Sequence, residues 1–266
     1  MKIGIIGMGV VGHALKNGFE KIGYSVCIHD IKLATSITDV LDTEIIYVAV
    51  PTPAKEDGGC DTSIVENIVH ELRFANMRYE GVIAIKSTCI PGTTQRLIDI
   101  YDDKIVFVPE FLKERSANYD FVYAHDLLCI GSNNVNHAYV VQRSHGDYPV
   151  EVMRVSPTEA ELVKYMHNSF GAFRVTFANE YFELCDKLNI NYDNVKRAFV
   201  TKNRIPDEYL DVKPELRGFA GACFPKDIAA INHLMQKELG LPYKLWENII
   251  EENERFKSTV FKGMRK

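Results

Sequence analysis

The residues of this chain best placed for covalent chemistry lie in Gly218-Phe-Ala-Gly-Ala-Cys-Phe-Pro-Lys-Asp227. Pro225 suits the first position of a helix, where its missing N–H costs nothing, and the apolar run Ile228–Leu239 continues that helix. Cys223 would then sit just outside it, beside unpaired backbone N–H groups and the positive end of the dipole, a setting that favours thiolate. Lys226 adds positive charge in the first turn, and Asp227 is a possible base. The plain alternative is a buried, inert cysteine beside a helix cap. A second pair lies upstream. Lys164 and Asn168 are four residues apart in a helical pattern, so both can point at one ligand, with a solvated helix face as the competing reading.

A third constellation opens the chain. The short apolar strand Lys2–Ile6 runs into Gly7, Gly9, Val10, Val11 and Gly12 of a G-x-G-x-x-G turn, and a helical pattern follows to about Ile22. Strand, glycine turn and helix in this order bring a pyrophosphate against backbone N–H groups at a helix N-terminus. A second strand, Ser25–His29, ends at Asp30. A carboxylate there accepts both ribose hydroxyls and repels a 2′-phosphate, which favours NAD over NADP. A strand–turn–helix with a surface aspartate is the plainer possibility.

The elements that must position these groups follow from pattern. After a brief crossover with a short helix near Ser36–Leu41, Glu44–Val50 is a strand ended by Pro51-Thr-Pro53, where a doubly wound sheet opens its ligand crevice. Thr62–Asn76 reads as a helix and Val82–Lys86 as a buried strand. Ser87–Gly92 is a turn before a short helix starting near Thr93. Ile105–Val108, Leu127–Gly131 and Pro149–Val155 are further strands. Strands alternating with helices predict a mostly parallel sheet covered on both faces. From Ser156 the pattern changes. Leu162, Met166, Phe170, Phe173, Phe177, Tyr181, Leu184 and Leu188 predict one amphipathic helix of about 30 residues, roughly 45 Å long. Helices over Tyr192–Val200, from Pro225, and over Tyr243–Phe256 complete a helical region, with a loop Thr201–Ala222 carrying Arg204. The fold class is therefore α/β: an N-terminal, Rossmann-like doubly wound sheet (residues 1–155), then an all-helical domain built on one long central helix (residues 156–266). That long apolar stripe predicts a homodimer through the helix, unless Tyr192–Phe256 covers it within one chain.

Composition removes several function classes. The 266 residues are 46% hydrophobic and 25% charged with a net charge of −5, which gives no reason to expect nucleic acid or an anionic membrane. Six dispersed cysteines without a C-x-x-C pair argue against a zinc site or disulfide framework and for a reducing, cytoplasmic setting. No H-x-x-x-H spacing occurs, so no metal is expected. The glycine-broken N-terminus is unlike a signal peptide, and no stretch is apolar enough to span a bilayer.

Together these pieces resemble the UDP-glucose dehydrogenase family, which oxidises a nucleotide sugar to its uronate for polysaccharide biosynthesis with two NAD. The resemblance rests on Gly7–Gly12, Val50-Pro-Thr-Pro53, Lys86-Ser-Thr-Cys-Ile-Pro-Gly-Thr-Thr94, Pro109-Glu-Phe-Leu-Lys-Glu114, Glu161-Leu-Val-Lys-Tyr-Met-His-Asn168, Phe173–Glu180 and Cys223-Phe-Pro-Lys-Asp227, in the family's order. The last favours the glucose branch over the N-acetylmannosamine branch. By position, the resemblance implies that Cys223 attacks an aldehyde formed by a first hydride transfer, giving a thiohemiacetal and then a thioester that water hydrolyses. It implies oxyanion contacts from Lys164 and Asn168, proton and water handling by Asp227, Glu110 and Thr88, and a cofactor border formed by Pro51, Thr52, Thr88 and Glu114. The sugar nucleotide would meet Phe111, Leu112, Lys113 and Arg204. Departures are present: Ala220 and Ala222 stand where the family has Gly and Ser, Arg115 stands where Gly is usual, and the crossover after Asp30 is short. The family continues beyond Asn253-Glu-Arg255 into a UDP-binding third domain that this sequence does not contain, so it reads as a truncated form. Two other readings stay open. One is a two-electron hydroxyacid-type dehydrogenase that needs Lys164 and Asn168 but not Cys223. The other is a cofactor-binding subunit or inactive relic needing a separate UDP-binding domain.

Overall fold

A computed structural model describes residues 1–74 and 78–256. The chain forms two compact units, Met1–Pro53 with Asp61–Lys164, and Ala54–Cys60 with Tyr165–Lys266.

The first unit is built on β1 (Lys2–Ile6), β2 (Ser25–His29), β3 (Ile45–Val48), β4 (Val82–Ile85), β5 (Ile105–Phe107), β6 (Leu127–Gly131) and β7 (Glu151–Val155). They form one sheet in the order β2-β1-β3-β4-β5-β6-β7. Neighbours are parallel except β5 and β6, which meet antiparallel at Phe107 and Gly131. β3, β4 and β5 are buried along their whole length, as near-continuous apolar runs require when both faces are covered. Alternate residues serve opposite layers. Ile45 and Tyr47 join Leu15 and Phe19 of α1 (Val10–Ile22), while Ile46 and Val48 join Val65, Val69 and Leu72 of α2 (Ser63–Arg73). Leu97 of α3 (Thr93–Ile100) lies on the α2 side, and Phe121 of α4 (Ala117–Tyr123) and Val141 of α5 (Val135–His145) lie on the α1 side. The chain runs outward from β1 to β2, then returns past β1 to β3. That reversal puts a crevice beyond the carboxyl ends of β1 and β3, where Gly7 and the Val50–Pro53 loop follow their strands.

The second unit is helical. Its main element is the part of α6 from Tyr165 onward; α6 (Pro157–Lys187) is a continuous helix of 31 residues whose start, to Lys164, belongs to the first unit. Around it are α7 (Tyr192–Asn203), α8 (Phe224–His233) with a π turn at Leu234–Glu238, and α9 (Leu245–Phe256). One small core joins Ala172, Phe219, Ile228 and Ile249, and another Ala178, Cys185, Tyr192 and Leu210.

Several expectations shift in detail. β3 is shorter at both ends, and α2 stops at Arg73, where Phe74 N–H donates to His70 O at 2.8 Å. Residues 75 and 76 of the expected helix lie outside the described residues. The sequence pattern missed α4 and α5. α5 buries Ser144 and His145 beside Ala138 and Val141, so its inner face carries no clean apolar stripe. α7 absorbs Thr201–Asn203 from the expected loop, and Arg204 closes it in the left-handed region at φ 52°. The largest difference concerns α6. The apolar stripe is largely outward: Met166 is 73% exposed, and Leu162, Phe170, Tyr181 and Leu184 are about half exposed. Its buried positions are instead mostly small or polar, among them Ala160, Glu161, Lys164, Asn168, Ala172 and Asn179, with fully buried Tyr165 a large exception. Farther along the helix Gly171 allows the close approach of α8, since a Cβ there would lie 2.6 Å from Phe224 Cζ.

Candidate active site

The residues singled out by the sequence fall in both units. In the first unit, Gly7 adopts φ +95°, and a Cβ there would lie 2.4 Å from Ala49 O. A Cβ on Gly12 would lie 2.0 Å from Gly7 O, so only glycine lets α1 start this close to the turn. Gly9, the N-cap of α1, has open space where its Cβ would stand and no side-chain cap, and the first turn, containing Val10 and Val11, holds no acid. Unsatisfied N–H groups, a bare approach and no competing negative charge fit a pyrophosphate. Asp30, at the end of β2, accepts from Met8 N–H at 2.7 Å and Lys32 N–H at 2.8 Å. Those two backbone donors, Met8 first, hold its carboxyl below the ordinary range, so the group is a carboxylate at neutral pH.

The loop after β3 is pinned to the loop after β4. Ser87 Oγ accepts from Val50 N–H at 2.9 Å and donates to Val50 O at 2.8 Å. Thr52 is buried, Pro51 is exposed and Thr88 is half-buried. Glu161, fully buried on α6, accepts from Gly92 N–H at 2.6 Å and Thr94 N–H at 2.7 Å, thereby capping α3 and closing the Ser87–Gly92 turn. Glu110 follows β5 and pairs with buried Lys86 at 2.8 Å. Its other oxygen accepts from Phe111 N–H at 2.8 Å and Leu112 N–H at 3.2 Å, which fixes the start of the Glu110–Glu114 loop. Burial alone would raise the Glu110 carboxyl, but Lys86, with His125 and Lys164, outweighs it and holds the group below its ordinary value. Lys164 Nζ donates to Glu110 O and lies 5.6 Å from the centre of the Phe111 ring. Lys113 and Glu114 are exposed. Sequence reasoning quoted Lys86 in a motif without giving it a role; a charge ending an otherwise apolar strand was the available signal.

In the second unit, Cys223 is the N-cap of α8 and the exposed member of six free cysteines, so it is not buried as the plain reading has it. One turn on, Asp227 is 1% exposed and its backbone N–H donates to Cys223 O at 2.9 Å. Asn168 Nδ2 donates to Asp227 Oδ2 at 2.5 Å, and Lys226 Nζ to Asp227 Oδ1 at 2.5 Å. Burial would lower the Lys226 ammonium, but Asp227, with Cys60 and Cys223, holds it above its ordinary value. The helix start thus joins a solvent-accessible thiol, an amide, a buried carboxylate and a cation. Arg204 is exposed at the end of α7. Among the described residues no group of His, Cys, Asp and Glu could hold a metal ion.

Comparison with known proteins bears on both halves. Residues 31–146 match the NAD binding domain of the UDP-glucose/GDP-mannose dehydrogenase family, and residues 158–255 match its central domain. The chain belongs to this family. It is 31% identical over 224 residues to UDP-glucose 6-dehydrogenase of Rickettsia bellii, covering 81% of this chain and 50% of that protein. It is likewise 31% identical over 221 residues to UDP-glucose 6-dehydrogenase TuaD of Bacillus subtilis, covering 80% and 47%. Among solved structures, a UDP-glucose dehydrogenase from Pyrobaculum islandicum superposes with a TM-score of 0.86 at 26% identity, covering 97% of this chain and 68% of that one. The chain spans about half the length of the curated relatives it matches. No helix among the described residues is long and apolar enough to cross a membrane.

Proposed function

We propose that this family member catalyses NAD-dependent oxidation of a nucleotide sugar to the uronate, of the UDP-glucose 6-dehydrogenase type, through a covalent step on Cys223. The observation that carries the reading is the α8 start, where an exposed thiol caps a helix whose first turn holds Asp227 between Asn168 and Lys226. Residues 1–155 serve the cofactor and residues 156–266 the thiol. NAD, held by the Gly7–Gly12 turn and Asp30, supplies the hydride acceptor.

The chain's own residues do the rest. The substrate alcohol first gives its proton to a base and a hydride to the acceptor, forming the sugar aldehyde. Cys223 Sγ then adds to its carbonyl carbon, and Lys164 and Asn168 stabilise the oxygen that takes the negative charge. Loss of hydride leaves a thioester. Water adds to it, the C–S bond breaks, and the acid departs as the thiol regains its proton. Asp227, Glu110 and Thr88 move protons on the alcohol, the water and the thiol. Phe111, Leu112, Lys113 and Arg204 contact the sugar nucleotide, and Pro51, Thr52, Thr88 and Glu114 border the cofactor. The outward apolar stripe of α6, with Met166 at 73% and Phe170 at 55% exposure, supports a homodimer through this helix rather than cover from within the chain. Six free cysteines suit a reducing, cytoplasmic setting.

The test is a panel of nucleotide sugars, sugar phosphates and hydroxyacids scored by NADH formed per substrate consumed. Two NADH and a uronate from UDP-glucose support the reading. One NADH, from a hydroxyacid alone, would overturn it.

A further inference from the structure

The thiol stands in a loop of small residues, and its main chain is held from both sides by side chains that never touch it. Asn253 of α9, 7% exposed, forms a two-way pair with one residue: its Oδ1 accepts from Phe219 N–H at 2.8 Å and its Nδ2 donates to Phe219 O at 2.9 Å. A side-chain amide here copies the pairing a neighbouring strand would offer. Asn179 of α6, 2% exposed, accepts from Gly218 N–H at 3.3 Å and from Arg217 Nε. Arg217 also donates to Glu183 at 3.0 Å, and its guanidinium lies 5.0 Å and 4.7 Å from the ring centres of Phe182 and Phe256.

Beyond this anchor residues 220–222 lead to the thiol. Gly221, at φ +88°, has nothing within 4 Å of where a Cβ would stand, so this span has little packing of its own. On the far side of Cys223, Phe224 closes against Gly171. Asn168, Gly171, Ala172, Val175 and Asn179 recur along α6 at helical spacing, so one stripe fixes Asp227 after the thiol and Gly218 before it. Buried amides in helix interfaces are costly unless fully paired; here Asn253 is paired on both sides by Phe219 main chain, while Asn179 donates to Val175 O and accepts from Gly218 N–H.

We propose that Asn253 and Asn179 are positioning residues for the Cys223 nucleophile, setting where the thiol stands through the main chain of residues 218 and 219. The proposal rests on the covalent reading above, and its test is separable from it. Iodoacetamide labelling of Cys223, followed by peptide mass, reads thiol placement without turnover, and the other five cysteines are buried or half-buried. Asn253→Ala is expected to change the Cys223 labelling rate several-fold. It should also lower the acid-forming kcat by about 100-fold, the cost of a misplacement near 1 Å, with KM for NAD unchanged. Asn253→Asp keeps the acceptor but sets a carboxylate against Phe219 O until it is protonated. Its labelling rate, as a ratio to wild type at each pH, should therefore return towards unity as pH falls. Asn179→Leu, which preserves helix propensity, supplies a second variant should the first fail to fold, and is expected to shift the labelling rate in the same way. Folded variants that label at the wild-type rate at every pH would overturn the proposal. Wild-type protein that makes no acid from any nucleotide sugar would sink the covalent reading instead, and the labelling comparison would still decide the positioning role.

Discussion

Gly171→Ala separates stability from catalysis. The added Cβ would stand 2.6 Å from Phe224 Cζ, 3.2 Å from Cε2 and 3.4 Å from Cε1. Carbon atoms rest near 3.5–4.0 Å, so the ring must retreat by about 1 Å. It is not free to swing, because Tyr209 and Phe219 sit edge-on with centroids 5.3 Å and 6.3 Å away. Overpacking of this kind costs about 1–3 kcal/mol, and replacing a helical glycine by alanine returns about 1 kcal/mol. The net destabilisation is about 0–2 kcal/mol. Phe224 is covalently next to Cys223, so a ring retreat that carries the main chain displaces the thiol on a similar scale. A misplacement of about 1 Å costs roughly 100-fold in rate, or about 2.7 kcal/mol of transition-state stabilisation. The assay is steady-state NADH production from UDP-glucose beside urea unfolding of the same preparation. The expected outcome is a small shift in the unfolding midpoint, a large fall in kcat and an unchanged KM for NAD. Wild-type kcat in a variant of wild-type stability would refute the reasoning.

Other predictions follow from the first unit. Asp30→Ala removes the carboxylate at the end of β2 and should weaken NAD about 10- to 100-fold, the worth of charge-assisted hydrogen bonds to a ribose; titration by fluorescence checks this, and undiminished affinity would contradict it. His145 is fully buried, and burial first, then Lys86 and His125, push its pKa well below 6.5. The unfolded chain therefore binds the proton that the folded one refuses, and stability falls as pH drops below about 6.5. His145→Phe loses the bond to Val141 O and should be about 1 kcal/mol weaker at pH 7.5, but its deficit against wild type should shrink towards pH 5 in urea titrations; a constant deficit would contradict this.

How much could be read beforehand depended on what each pattern encodes. β1 to β4 are mostly apolar runs followed by Gly7, Asp30, Pro51 and Lys86, and the Gly7–Gly12 turn has a steric reason for each buried glycine, so the sheet and its glycine turn were legible. The length of α6 was legible too, because helical periodicity persists without proline. Its facing was not. A stripe of Leu, Met and Phe marks one side of a helix without saying whether core or solvent lies there, and contact with α8 required Gly171 and Ala172 on the other side. α5 escaped because polar Ser144 and His145 interrupt the apolar spacing, and α4, at seven residues, is too short to show a helical period. Within the site, Cys223, Lys164, Asn168 and Asp227 were found by spacing and resemblance. The side chains around them were not found, because their partners lie far away in sequence, which no local pattern records: Lys86 pairs with Glu110, Glu161 accepts from Gly92 and Thr94, and Asn179 and Asn253 bond the main chain of residues 218 and 219.

The central claim is that Cys223 carries the second oxidation. The most direct measurement is the product made by Cys223→Ser with UDP-glucose and excess NAD, resolved by mass and by NADH per mole against wild type. The account predicts a uronate and two NADH from the wild type, and from the variant nothing beyond the aldehyde stage. A Cys223→Ser protein that forms the uronate at an undiminished rate would contradict it.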